Sequence, residues 1–201
     1  MENVYSYADV LESYMIAEEG LFSKLKNKFK KKNDKKIEES KTANSYNFHV
    51  NTDKALEDSK LNLTPYPVDK WNTKDDVIDA MEKDIKIALP KILSCQEVMN
   101  AVKDLCEEYN DMPSGDERED RFNIEDAPTK LSPNWFKSQF KLTEDGGYWI
   151  ICEGDQMFRS FYGISIINIL KKYLNDKYSN YRRYFSLDTG DGDEGCLYYE
   201  D

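Results

Sequence analysis

Residues 135–178 read WFKSQFKLTEDGGYWIICEGDQMFRSFYGISIINILKKYLNDKY, and the fold class follows from this stretch. Trp135 to Leu142 and Tyr148 to Cys152 flank Glu144-Asp145-Gly146-Gly147. Two aromatic and apolar runs around such a turn predict a β-hairpin, because glycine supplies the positive φ that tight hairpin turns need. Phe158 to Tyr178 then carries Phe161, Ile164, Ile167, Ile169, Leu170, Tyr173 and Leu174 across one broad stripe, which predicts a helix packed on the sheet.

Working outward, Tyr184–Leu187 and Cys196–Tyr199 predict two more strands around the loop Asp188-Thr-Gly-Asp-Gly-Asp-Glu-Gly195. Upstream, Asp111 to Pro133 is rich in turn formers, with a short strand expected at Arg121–Ile124. Thr73 followed by Asp76 marks a helix start, and Val77, Ile78, Met81, Ile85, Ala88 and Leu89 recur at helical spacing until Pro90 kinks or ends the helix. Ser94-Cys95-Gln96-Glu97 has the spacing of a capping box opening a second helix to about Asn110. This helix buries Val98, Met99, Val102, Leu105 and Cys106. A helical pair, a hairpin, a helix and a hairpin in that order favour α+β with an antiparallel sheet.

The 201 residues divide by composition into three parts. Residues 1–19 contain five carboxylates and no Lys or Arg, and place Val4, Tyr7, Ala8, Leu11, Tyr14 and Met15 on one side of a candidate leader helix. Residues 20–66 begin with eight lysines against the single Asp34 up to residue 36, and continue as a polar stretch read as a disordered linker. Residues 67–201 form the expected single domain. With 39% hydrophobic residues the composition is lean, but 14 Tyr, 9 Phe and 3 Trp supply large buried areas.

A net charge of −11 argues against a chain that tracks a phosphate backbone with its whole surface. No apolar run approaches the about 18 residues of a membrane-spanning helix. Cys95, Cys106, Cys152 and Cys196 are scattered and read as reduced thiols in the cytosol. His49 is the only histidine and lies in the linker. Zinc and histidine-dependent catalysis are therefore not expected, nor any cofactor. The 188–195 loop fails calcium-loop spacing, since Asp193 stands where the sixth-position glycine belongs, and reads as a solvated turn. Glu153 and Asp155, between strand and helix, fit helix capping better than an acid–base pair. Arg182-Arg183 reads as a small basic spot on a strand edge.

The lysine-rich segment alternates apolar and basic side chains. On a helix, Leu21, Phe22, Leu25 and Phe29 share an arc, and most of Lys24, Lys26, Lys28, Lys30, Lys31 and Lys32 lie outside it. Such a helix suits an anionic surface, packaged DNA or an acidic protein, and a solvated basic linker is the alternative.

Leu11-Glu12-Ser13-Tyr14-Met15-Ile16-Ala17-Glu18, followed by Glu19-Gly20, resembles the capsid-targeting leader of internal head proteins of T4-like phages. The resemblance implies that the prohead protease cuts after the glutamate of a Leu/Ile-x-Glu motif. Ile16 would then be the P3 residue, Glu18 the P1 carboxylate and Glu19 the new N-terminus. Cleavage between Glu19 and Gly20, with Ala17 at P3, fits a related small-x-Glu pattern. Leu105-Cys106-Glu107 meets the same rule but inside a predicted helix. The implied function is a tailed-phage virion protein, located in the phage head after synthesis in the host cytoplasm. Its implied partners are head proteins and the prohead protease, with packaged DNA or an anionic surface through residues 20–36. It would act by binding rather than catalysis, either structurally or as an injected effector against a host protein. The alternative is an intracellular acidic protein-binding module, phage or bacterial, whose lysine-rich helix docks a membrane or partner.

Overall fold

A computed structural model describes residues 48–113, 122, 124, 128–190 and 195–200. The leader, the protease site Ile16–Gly20, the basic segment 20–32 and Asp191, Asp193 and Glu194 of the acidic loop lie outside the described residues. The compact unit is Asn47–Asp201, an α+β arrangement with a four-stranded antiparallel sheet.

The helical layer begins with α1, Thr52–Asp58. Asn51 caps it, its side chain accepting from the Lys54 N–H at 3.0 Å. Next come α2, Lys74–Ile92, and α3, Gln96–Asp111. The Thr73 side chain accepts the Asp76 N–H, as its sequence position predicts. Every residue of the expected α2 stripe is buried, and the helix ends two residues beyond Pro90. A proline so close to the end removes a single intrahelical bond and can be tolerated there.

The sheet order is β1-β2-β4-β3, where β1 is Phe140–Asp145, β2 Tyr148–Cys152, β3 Ser186–Asp188 and β4 Cys196–Glu200. Gly146 and Gly147 both have positive φ, 55° and 100°, and join β1 to β2 in a two-residue turn. Both the Ile151 and the Cys152 N–H donate to Gly195 O at 3.0 Å. This two-against-one pairing is a β-bulge, and it turns both side chains toward the core.

Between β2 and β3 the chain forms α5, Gln156–Phe158, then a π-helical turn over Arg159–Gly163, then α6, Ile164–Lys177. Helix α6 packs on β3, β4, α1 and α2. Buried Trp149, Ile151, Leu197, Tyr199 and Leu187 form the inner side of the sheet.

Five expectations need correction. The domain starts well before residue 67. Ala55 and Leu56 are 0% and 2% exposed, and α1 packs on α3 and α6, so residues 48–66 belong to the folded unit rather than to a linker. Trp135–Leu142 is not one strand. Ser132 caps a short helix α4, Pro133–Ser138, with Pro133 pre-set for its first turn, and β1 starts only at Phe140. Phe161 is 41% exposed while Tyr162 is fully buried. The π turn inserts one residue and so rotates the upstream face by about 100°, which breaks the simple helical stripe there. Phe122 is helical rather than part of a strand.

The expected capping box is also absent. Cys95, not Ser94, is the N-cap of α3 and makes no side-chain cap bond. The Glu97 N–H donates instead to Asp58 Oδ2 at 3.0 Å, from the end of α1. Glu97 itself accepts the Asn51 N–H at 3.1 Å and pairs with Lys54. Each of the two helices thus satisfies an N-terminal donor of the other, a long-range substitute for a local cap.

Candidate binding surface

The described carboxylates singled out from the sequence each have a separate structural partner. Asp155 accepts the Phe158 N–H at 2.8 Å as the cap of α5. Glu153 pairs with Lys141 across the β1–β2 hairpin at 2.8 Å. Asp188 accepts the Thr189 N–H and pairs with Lys171 at 3.1 Å, and these contacts hold its carboxyl below the ordinary value. Among the described residues no group of three or more His, Cys, Asp or Glu is placed to hold a metal ion.

All four thiols are free and buried. Burial pushes Cys106 up to about 11 and Cys152 up to about 12, far from a reactive thiolate at neutral pH. Arg183 stacks over the Tyr184 ring at 4.7 Å and donates to its hydroxyl, while Arg182 is exposed. Leu105-Cys106-Glu107 sits inside α3 with Cys106 buried, where no protease can take hold of an extended backbone. No helix among the described residues is long and apolar enough to cross a membrane.

Two aromatic clusters stand out that sequence reading did not assemble. The first fastens residues 62–72 to α2 and α6. Tyr66 and Tyr178 hydroxyls both donate to Asp84, and Trp71 stacks on Tyr178 with ring centroids 5.6 Å apart. Lys177 is 6% exposed, donates to Asn62 O at 2.9 Å and lies over the Tyr66 ring. Burial lowers the Lys177 pKa, whereas burial and Asp84 together raise that of Tyr178. The Tyr181 hydroxyl accepts the Lys70 N–H at 2.8 Å and donates to Pro67 O. Its hydrogen bonds are directed inward, so this cluster acts as a latch. Tyr66, Trp71 and their polar neighbours were visible in the sequence, but nothing local to them indicated a partner more than a hundred residues away.

The second cluster faces outward. Asp145 pairs with Tyr148, Tyr148 with Tyr198, and Tyr198 with Asp188, so one residue from each strand forms a row in the order β1-β2-β4-β3. Directly paired residues of an antiparallel sheet share a face. This face alternates with the buried one carrying Trp149, Leu197, Tyr199 and Leu187. On it Thr143, Asp145, Ser186 and Asp188 are exposed, Tyr148, Ile150 and Tyr198 are half-buried, and Cys196, paired with Ile150, is buried. The Tyr148 and Tyr198 rings lie 5.2 Å apart at 34°, and the Tyr148 hydroxyl donates to Asp145 at 2.9 Å. Two aromatic rings flanked in register by two carboxylates give an acidic, aromatic surface that can take up cationic and apolar groups by side-chain contact. The sequence signal was the Tyr148–Ile150 and Tyr198 alternation, but the row exists only through strand order.

No protein-family model, curated protein or solved structure matches the chain.

Proposed function

We propose that the chain is a head-associated virion protein of a tailed phage, shortened by the prohead protease and acting by binding. The observation that carries this reading is Leu11–Glu18 followed by Glu19-Gly20, at the point where the acidic leader gives way to the lysine run. Cleavage after Glu18 removes four carboxylates and no Lys or Arg, so the lysine-rich segment becomes the new N-terminal arm. Such an arm suits contact with packaged DNA or an anionic surface. The compact acidic unit beginning at Asn47 would supply the binding function, as a structural component or as an injected effector against a host protein.

The test is the N-terminus of the protein from purified particles, read by terminal sequencing and intact mass. Particle protein is expected to begin at Glu19 or Gly20, and recombinant protein at Met1 or Glu2. The P1 glutamate offers a fixed negative charge to a basic pocket, so Glu18→Gln with Glu19→Gln is expected to leave the full-length chain. Full-length protein in mature particles would overturn the processing. Absence from particles would overturn the virion reading in favour of an intracellular binding module.

A further inference from the structure

We infer that the open face of the sheet is a docking site for a lysine- or arginine-rich peptide segment of a partner protein. The site is the Asp145–Tyr148–Tyr198–Asp188 row, and the inference does not depend on the phage reading. The paired register fixes the spacing of the backbone positions that carry its groups. Adjacent strands lie about 4.8 Å apart, so the backbones carrying Asp145 and Asp188 are separated by about 14 Å. A single metal ion holds its oxygens at about 2.5 Å and cannot bridge that gap. An extended peptide rises about 3.4 Å per residue, so basic residues at i and i+4 span the same distance. Each ammonium or guanidinium would meet one carboxylate, and the intervening residues would lie over the two rings.

Two properties of the row select a cation. The faces of aromatic rings carry negative potential and attract Lys and Arg. The carboxylates at both ends add full charges, with a net charge of −11 on the whole chain. Aromatic residues on an open four-stranded sheet also suit base stacking. Here a nucleic acid would bring its phosphates against Asp145 and Asp188, and that repulsion argues for the peptide. Asp188 is paired with Lys171, but its side chain is 73% exposed. An exposed pair of this kind contributes little and can be exchanged for a ligand's cation.

The experiment uses full-length protein and a fluorescein-labelled peptide with lysines at i and i+4 in a Gly/Ser background. A peptide of the same composition with adjacent lysines, a glutamate counterpart and labelled oligothymidylate serve as comparisons. The i, i+4 peptide is expected to bind most tightly, with affinity falling as salt rises. Each group removed is expected to weaken binding about threefold, so Asp145→Asn with Asp188→Asn loses about tenfold. Tyr148→Thr with Tyr198→Thr is expected to lose a similar factor. Asp79→Asn with Asp104→Asn removes the same charge from exposed helical positions and is expected to change affinity less than about twofold. Equal loss in that control pair, no loss in the sheet variants, or preferential binding of oligothymidylate through the same tyrosines would overturn the inference. Should a sheet variant fail to fold, amide-shift mapping on the unaltered protein decides. Peptide-induced shifts are expected to centre on β2 and β4, and shifts centred on the helices would overturn it.

Discussion

The Tyr178 hydroxyl donates to Asp84 Oδ2 at 2.8 Å, tying the residue after α6 to the middle of α2 across 94 positions of sequence. Tyr66 donates to the same carboxylate at 3.1 Å. One aspartate therefore joins both helices to the segment that closes over them. Asp84→Ala would leave two phenolic hydroxyls without their acceptor, and Tyr178 is fully buried. A buried donor left unsatisfied costs about 1–3 kcal/mol, so the urea midpoint is expected to fall accordingly. Asp84→Asn retains an acceptor oxygen and is expected to cost less. An alanine variant with an unchanged midpoint would refute the latch.

Glu97 carries a pH dependence with a defined sign. The Lys54 contact, then the Asn51 N–H, hold its carboxyl below the ordinary value of 4.5. The stability from this depressed pKa is fully present above about pH 4.5 and is lost as pH falls through the lower folded value. Glu97→Gln is expected to be less stable at neutral pH and to show a shallower loss of stability in acid. Chemical denaturation of both proteins at several pH values measures this, and parallel stability–pH curves would rule it out.

Where the folded unit begins can be tested by truncation. A chain starting at residue 47 keeps α1 and the aromatic latch, and is expected to unfold in one cooperative transition. A chain starting at residue 67 loses buried Ala55 and Leu56 and half-buried Tyr66, together with the Asp58 cap on α3. Removing a single buried Leu side chain typically costs about 2–5 kcal/mol, so loss of the whole segment is expected to abolish the cooperative transition. Equal melting temperatures for the two chains would place α1 outside the core.

Gly195 and Gly146 both adopt left-handed backbone, with φ of 65° and 55°, but their surroundings differ. A Cβ on Gly195 would lie 2.5 Å from Cys152 O and 2.8 Å from Arg159 Cδ, whereas at Gly146 nothing is within 4 Å. Gly146→Ala is expected to cost about 1–2 kcal/mol for the backbone conformation alone. Gly195→Ala adds a clash with backbone at the bulge, and is expected to cost distinctly more. Thermal melts of the two variants compare them directly, and equal losses would show that the bulge can yield.

Much of the fold was legible because it rests on local rules. The Gly146-Gly147 turn, the Thr73 cap and the buried face of α2 each depend on residues a few positions apart, and they stand where periodicity and turn chemistry place them. The misreadings share one cause. Ser94 lost the cap of α3 to Asp58, a carboxylate 39 residues before the Glu97 whose N–H it accepts. Phe161 lost its inward position to a π turn formed against Cys152, where a Cβ on Gly163 would lie 2.9 Å from the Cys152 Sγ.

By itself the sequence determined the α+β class, the principal amphipathic helices, the main hairpin and the charge reversal at Glu19-Gly20, because propensity, periodicity and net charge are properties of neighbouring residues. Only the tertiary structure decided that α1 belongs to the core, that Asp84 serves two tyrosines, and that Asp145, Tyr148, Tyr198 and Asp188 stand in one row. Those relationships depend on strand order and on helix faces brought together from distant positions. Residues with few apolar neighbours in sequence, such as Ala55 and Leu56, are held by burial against elements the chain has not yet reached when they are read.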